Sequence, residues 1–154
     1  VDVNEYRLQL AAEKGLVDEA LKADGQTLDK IRALTGGKGV ERAIDCSANA
    51  TARHLCIQAT RKWGRICFIG EGGDVHFHPS EDIIHDQKTI YGSWVTSIWL
   101  MEDLVERLVR WNIHPADLIT HRFPLDQVAE AYALMASGNC GKVAIVFDEE
   151  LTSS

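Results

Sequence analysis

Short apolar runs alternate with stretches of helical periodicity along most of the chain. Val1-Asp2-Val3 reads as the end of a strand, and Leu8, Ala11 and Ala12 then share one helical face within Glu5 to Lys14, before Gly15 supplies a stop. Leu16 to Leu21 reads as a short strand. Leu28, Ile31 and Leu34 repeat at helical spacing until Gly36, Gly37 and Gly39 break the chain. A strand over Val40 to Cys46 runs into Ser47, a candidate cap for a helix that carries Ala52, Leu55, Cys56 and Ala59 and is expected to close at Gly64. Arg65 to Ile69 predicts a β-branched and aromatic strand opening into the loop Gly70-Glu71-Gly72-Gly73.

Val75 to His78 alternates apolar and polar residues before Pro79, which predicts an edge strand rather than a central one. Thr89 to Val95 predicts another strand, and a long amphipathic helix follows with Leu100, Leu104, Leu108 and Trp111 as its expected buried stripe. Leu118 to Phe123 reads as a strand, Leu125 to Ala136 as a helix and Gly141 to Phe147 as a last strand before a polar tail. Parallel neighbours need crossover connections and those are normally helical, so this alternation predicts an α/β chain with a parallel sheet covered on both faces. Open sheets of that kind bind ligands outside the carboxyl ends of their strands. That directs the search to Asp2, Cys46-Ser47, Ile69-Gly70-Glu71 and Ser93-Trp94-Val95.

Composition narrows the function classes. The 154 residues are 45% hydrophobic and 25% charged, as expected of a globular chain able to bury a core. No apolar stretch approaches the roughly 18 residues of a membrane helix, and the first residues do not form a signal peptide. Sixteen basic against 23 acidic residues give −7 at pH 7, with no basic run to hold a nucleic acid. Neither a nucleic-acid nor a membrane partner is expected. Cys46, Cys56, Cys67 and Cys140 show no C-x-x-C spacing and read as reduced, which suits a cytoplasmic location. No initiating Met is present, and the expected start of the protein lies upstream.

Four segments in register carry a resemblance: Val1-Asp2-Val3-Asn4, Ala43-Ile44-Asp45-Cys46-Ser47-Ala48, Gly64-Arg65-Ile66-Cys67-Phe68-Ile69-Gly70 and Gly138-Asn139-Cys140-Gly141-Lys142-Val143. In this order and spacing they resemble the medium-chain dehydrogenases, most closely the zinc-dependent alcohol, polyol and threonine dehydrogenase branch, from Val1 to Phe147. The resemblance implies a Rossmann-type, doubly wound parallel sheet lacking its first strand and its G-x-G-x-x-G turn. Residues 1–112 would be the truncated NAD-binding domain, 113–147 a return segment toward an absent catalytic domain, and 148–154 a tail.

The resemblance also implies roles. Asp2 would accept the hydroxyl hydrogens of the adenosine ribose and repel a 2′-phosphate, favouring NAD over NADP, with Arg7 reaching the same ribose. The plain alternative makes Asp2 a helix cap and Arg7 a solvated charge. Cys46 and Ser47 would pack against adenine and ribose, Ser47 serving equally as a cap. Ile69, Gly70 and Glu71 would bring backbone to the nicotinamide, Ser93, Trp94 and Val95 would hold its carboxamide, and Lys142 would meet the pyrophosphate or stand as an ordinary edge-strand lysine.

The parent reaction implied is hydride transfer between an alcohol or polyol and NAD, with zinc held in the absent domain as the Lewis acid. His76 and His78 lie on one face of an expected strand but lack further ligands at convincing spacing, so no metal site and no catalytic residue is assigned to this chain. The isolated chain is expected to bind NAD weakly and to turn nothing over. The resemblance further implies a homodimer through the edge strand at Val75 to Pro79. The rival reading is a non-catalytic nucleotide-sensing or interaction module on the same scaffold.

Overall fold

The computed structural model describes residues 1–147, so the expected tail at 148–154 lies outside the described residues. Two compact units share the chain: Gly25–Ser97, and Val1–Asp24 together with the described residues from Ile98 onward.

The unit Gly25–Ser97 holds α2 (Thr27–Leu34), β1 (Val40–Asp45), α3 (Ala50–Ala59), β2 (Thr60–Phe68) and β3 (Thr89–Gly92), with α1 (Glu5–Glu13) preceding it in the chain. Its three strands pair in parallel in the order β1-β2-β3. The expected helix end at Gly64 is corrected: α3 stops at Ala59 and β2 begins at once. A glycine stop proves unnecessary because side chains satisfy the last-turn carbonyls. Thr60 Oγ1 donates to the Cys56 carbonyl at 2.6 Å, and the nearly buried Lys88 Nζ donates to that of Ile57 at 3.0 Å. Gly64 lies instead inside β2, where a Cβ would stand 3.0 Å from the Glu41 carbonyl oxygen.

The core of this unit lies where α3 packs against β1 and β2. Ile57 and Ile66 are fully buried, each contributing roughly 1.5–3 kcal/mol relative to exposure. The expected cap Ser47 is also corrected. Asn49 is the cap of α3, its side chain accepting from the amides of Thr51 and Ala52, while Ser47 is drawn to Asp45. The edge strand expected over Val75 to His78 is corrected: the segment pairs with no strand among the described residues, and Pro79 opens a π-helical turn over Pro79–Ile84. Alternation supplies the side-chain pattern of a strand but no neighbouring ladder, and the His76 carbonyl meets the His54 ring nitrogen at 3.0 Å instead.

The other unit holds α1, α4 (Ile98–Trp111), β4 (Ile119–Pro124), α5 (Val128–Ser137) and β5 (Lys142–Val146), with β4 and β5 paired in parallel. The cap of α1 is Asn4, whose Oδ1 accepts from the Arg7 amide, while Asp2 accepts from the Asn4 amide. Asn4 Nδ2 donates to the carbonyl of Gly138, the left-handed residue ending α5, which ties the start of α1 to the end of α5. The strand expected over Leu16 to Leu21 is corrected: no strand forms there, and the next residue, Lys22, makes one isolated parallel bridge with Asp2. On α4 the expected stripe keeps its periodicity without its burial: Leu100, Leu104 and Trp111 are about half exposed. Periodicity determines which face of a helix is apolar, and says nothing of what covers it.

Candidate functional site

Parallel pairing puts the carboxyl ends of β1, β2 and β3 along one edge. Cys46 and Ser47 follow β1, Ile69, Gly70 and Glu71 follow β2, and Ser93 follows β3 with its amide donating to the Phe68 carbonyl at 3.1 Å. Six of the expected residues therefore share one sheet edge. Trp94 and Val95 continue from it as exposed residues, Val95 with φ 42°.

The sequence reading missed what organises this edge. The Asp45 main-chain carbonyl accepts from the Ile69 and Gly70 amides at 2.9 and 3.2 Å. Its carboxylate accepts from the Ser47 hydroxyl at 2.6 Å and from the Ser47 and Ala48 amides at 3.1 Å each. Arg53, eight residues further on, reaches back from α3: its Nε meets Asp45 Oδ2 at 3.3 Å and its terminal nitrogen donates to the Gly70 carbonyl at 2.6 Å. The guanidinium carbon stands 5.4 Å from the centre of the Phe68 ring, within cation–π range.

Both charges are buried, which is costly unless every lone pair finds a donor. Burial pushes the Asp45 carboxyl upward, but the hydrogen bonds from Ser47, Ala48 and Arg53 outweigh it and hold the group below its ordinary value. Asp45 is thus an anion whose acceptors are committed to the chain itself. Burial, with the Asp45 charge adding to it, pushes the neighbouring Cys56 thiol up to about 11, so Cys56 is no nucleophile near neutral pH. The signal for Arg53 existed in the sequence, as a cation on the face of α3 that also carries Ala and Ile, but periodicity treats a lone charge on a helix as solvated.

Asp2, Arg7 and Lys142 belong to the other unit. Asp2 and Arg7 line one open pocket of about 180 Å3, with Val1, Leu8, Ala11, Val17, Glu19 and Ala20. Its lining is apolar apart from the carboxylates of Asp2 and Glu19 and the guanidinium of Arg7. Asp2 spends one oxygen on the Asn4 amide, and the cap that the plain alternative gave to Asp2 is Asn4. Lys142 opens β5 and is exposed. Among the described residues no three of His, Cys, Asp and Glu gather as a metal site, and none of the helices is long and apolar enough to cross a membrane.

A parallel α/β sheet with its candidate residues at the strand carboxyl ends defines the Rossmann-like cofactor-binding class of fold. Within that class, residues 1–111 match the zinc-binding dehydrogenase family, and the chain belongs to it. It is 46% identical over 149 residues to the zinc-type alcohol dehydrogenase-like protein YphC of Escherichia coli, covering 97% of this chain and 42% of that protein. It is 32% identical to the L-threonine 3-dehydrogenase of Symbiobacterium thermophilum, with 96% and 43% covered. Its structure is similar to that of the alcohol dehydrogenase from Thermotoga maritima, with a TM-score of 0.81, 25% identity, and 96% of this chain and 42% of that one covered. The chain thus spans less than half the length of these relatives and corresponds to their carboxy-terminal portion.

Proposed function

We propose that this chain is the NAD-binding portion of a zinc-type alcohol dehydrogenase and that by itself it performs no turnover. The observation that carries the reading is the pocket that joins Asp2 and Arg7 at the junction of a strand end and a helix. Asp2 would take the adenosine ribose hydroxyls, Arg7 would flank them, and Cys46 with Ser47 would meet the adenosine. The backbone at Ile69, Gly70 and Glu71 and at Ser93, Trp94 and Val95 would orient the nicotinamide, and Lys142 would offset pyrophosphate charge. NAD supplies the hydride acceptor when bound; these residues bind and orient it and move no proton.

The described residues do not fit zinc. In this reading zinc and the pocket for a small alcohol or polyol belong to the rest of a longer parent, with residues 1–112 as the cofactor domain and 113–147 as the return segment. The four free cysteines favour a reducing, cytoplasmic setting. A second copy of the chain is the proposed partner, through the segment from Val75 to Pro79, which joins no strand among the described residues.

Titration of the 154-residue chain with NADH and NADPH, followed by nucleotide fluorescence, tests the proposal. Expected is weak NADH binding, with a dissociation constant well above about 1 μM, the affinity that corresponds to roughly −8 kcal/mol. Asp2→Ser should lower the preference for NADH over NADPH by removing a charged acceptor and the repulsion of a 2′-phosphate. An unchanged preference removes Asp2 from the ribose site, and absence of NADH binding overturns the reading. Oxidation of any alcohol by the purified chain would contradict the proposed inactivity.

A further inference from the structure

Arg53 bonds the Gly70 loop directly and the 46–49 loop through the Asp45 carboxylate at the end of β1. Its Nε takes the Asp45 carboxylate that holds the Ser47 and Ala48 amides, and its terminal nitrogen takes the Gly70 carbonyl. The Asp45 main chain repeats the link, since its carbonyl receives the Ile69 and Gly70 amides. The loops are also in contact without side chains between them: a Cβ at Gly70 would stand 3.0 Å from the carbonyl carbons of Cys46 and Ser47. Gly73 is closer still to the Ala48 carbonyl, in a left-handed conformation of φ +61°. Two loops packed backbone to backbone have few stable arrangements, and a bidentate guanidinium selects among them because its donors are rigidly disposed.

We propose that Arg53 is a positioning residue that locks the strand-end loops 46–49 and 69–73 into one conformation, so that the Gly70 backbone is presented to a nicotinamide dinucleotide already ordered. The proposal rests on the dinucleotide reading above and extends it to a residue that touches no ligand. A preordered loop does not lose its freedom at the moment of binding, so the gain appears as affinity. Lysine cannot replace arginine here. Its single ammonium can neutralise Asp45, but it cannot hold that carboxylate and the Gly70 carbonyl in one plane.

That difference supplies the test, made on the full 154-residue chain with Arg53→Lys and Arg53→Met. Amide hydrogen exchange without nucleotide is read at Ile69 and Gly70, with Ile66 and Cys67 in the body of β2 as internal references. Expected in Arg53→Lys is near-native urea stability with exchange at Ile69 and Gly70 at least about tenfold faster, against less than about threefold at the references. NADH titration of the same variant should show a dissociation constant raised by about tenfold. Arg53→Met should show the same changes with a lower urea midpoint, since it leaves Asp45 buried and unpaired.

Native exchange at Ile69 and Gly70 in Arg53→Lys overturns the proposal, as does faster exchange with unchanged NADH affinity. Uniform acceleration at the references also overturns it, because the role is then general stability. If the unsubstituted chain binds no NADH, the dinucleotide reading fails and takes the ligand half of the proposal with it. The exchange measurement still decides whether Arg53 joins the loops. Should Arg53→Met fail to fold, Arg53→Lys alone decides the outcome.

Discussion

Replacing Gly70 with alanine measures how tightly the two loops are held together. Gly70 is not in a left-handed conformation, so alanine meets no torsional penalty, and the whole effect is space. The new Cβ would lie 3.0 Å from the carbonyl carbons of Cys46 and Ser47 and nearer still to the Ala48 nitrogen, where ordinary contact begins at 3.4 Å. All three neighbours are backbone and cannot rotate away. Relief requires the loops to part, which strains the Ile69 and Gly70 bonds to the Asp45 carbonyl and the Arg53 bond to the Gly70 carbonyl. Overpacking costs typically about 1–3 kcal/mol. Loss of one hydrogen bond adds about 1 kcal/mol. The expected destabilisation is therefore roughly 2–4 kcal/mol, a fall in melting temperature on the order of 5–15 °C for a chain of this size.

Urea unfolding followed by far-ultraviolet circular dichroism measures it, with Gly25→Ala as control. Gly25 faces open space without a positive φ, so alanine there should be neutral or stabilise by up to about 1 kcal/mol. A Gly70→Ala variant within about 0.5 kcal/mol of the unsubstituted chain, the range of ordinary surface changes, would refute the loop contact and the argument from it.

Acid unfolding should report Asp45. Its folded carboxyl lies below the ordinary 3.8, so its stabilisation is complete above that value and is lost as pH falls through the folded value. Below about pH 4 the urea midpoint of the unsubstituted chain should drop more steeply than that of Asp45→Asn, and parallel curves would remove Asp45 from the acid response. Ala48 holds φ 61°, a conformation that costs an alanine about 1–2 kcal/mol, so Ala48→Gly should be neutral to stabilising by about 1 kcal/mol once glycine's unfolded-state entropy is counted. A clear loss of stability in that variant would contradict the backbone assignment. Light scattering should find a dimer of the purified chain at high micromolar concentration that Val75→Pro weakens. A strict monomer defeats the dimer, and a dimer indifferent to the substitution moves its interface elsewhere.

Local pattern was sufficient for the α/β class and for the places of β1, β2 and the helices, but not for the strands expected over Leu16 to Leu21 and Val75 to His78, because periodicity and β-branched runs are properties of neighbours in sequence and pairing is not. Cys46, Ser47, Ile69, Gly70, Glu71 and Ser93 were legible for that reason: a parallel sheet aligns its carboxyl ends whatever the side chains are. Helix ends were less legible. Ser47 and Gly64 have the composition of a cap and a stop, yet Asp45 captures the serine hydroxyl, and Thr60 and Lys88 satisfy the carbonyls a glycine turn would have served. The stripe of α4 could be read as apolar but not as exposed, since exposure depends on what else the chain brings near. Arg53 could likewise be read as a cation on the helix but not as a buried one. A charge is buried only when distant residues supply its partners, and the carboxylate of Asp45, the carbonyl of Gly70 and the ring of Phe68 converge on it through the tertiary fold alone.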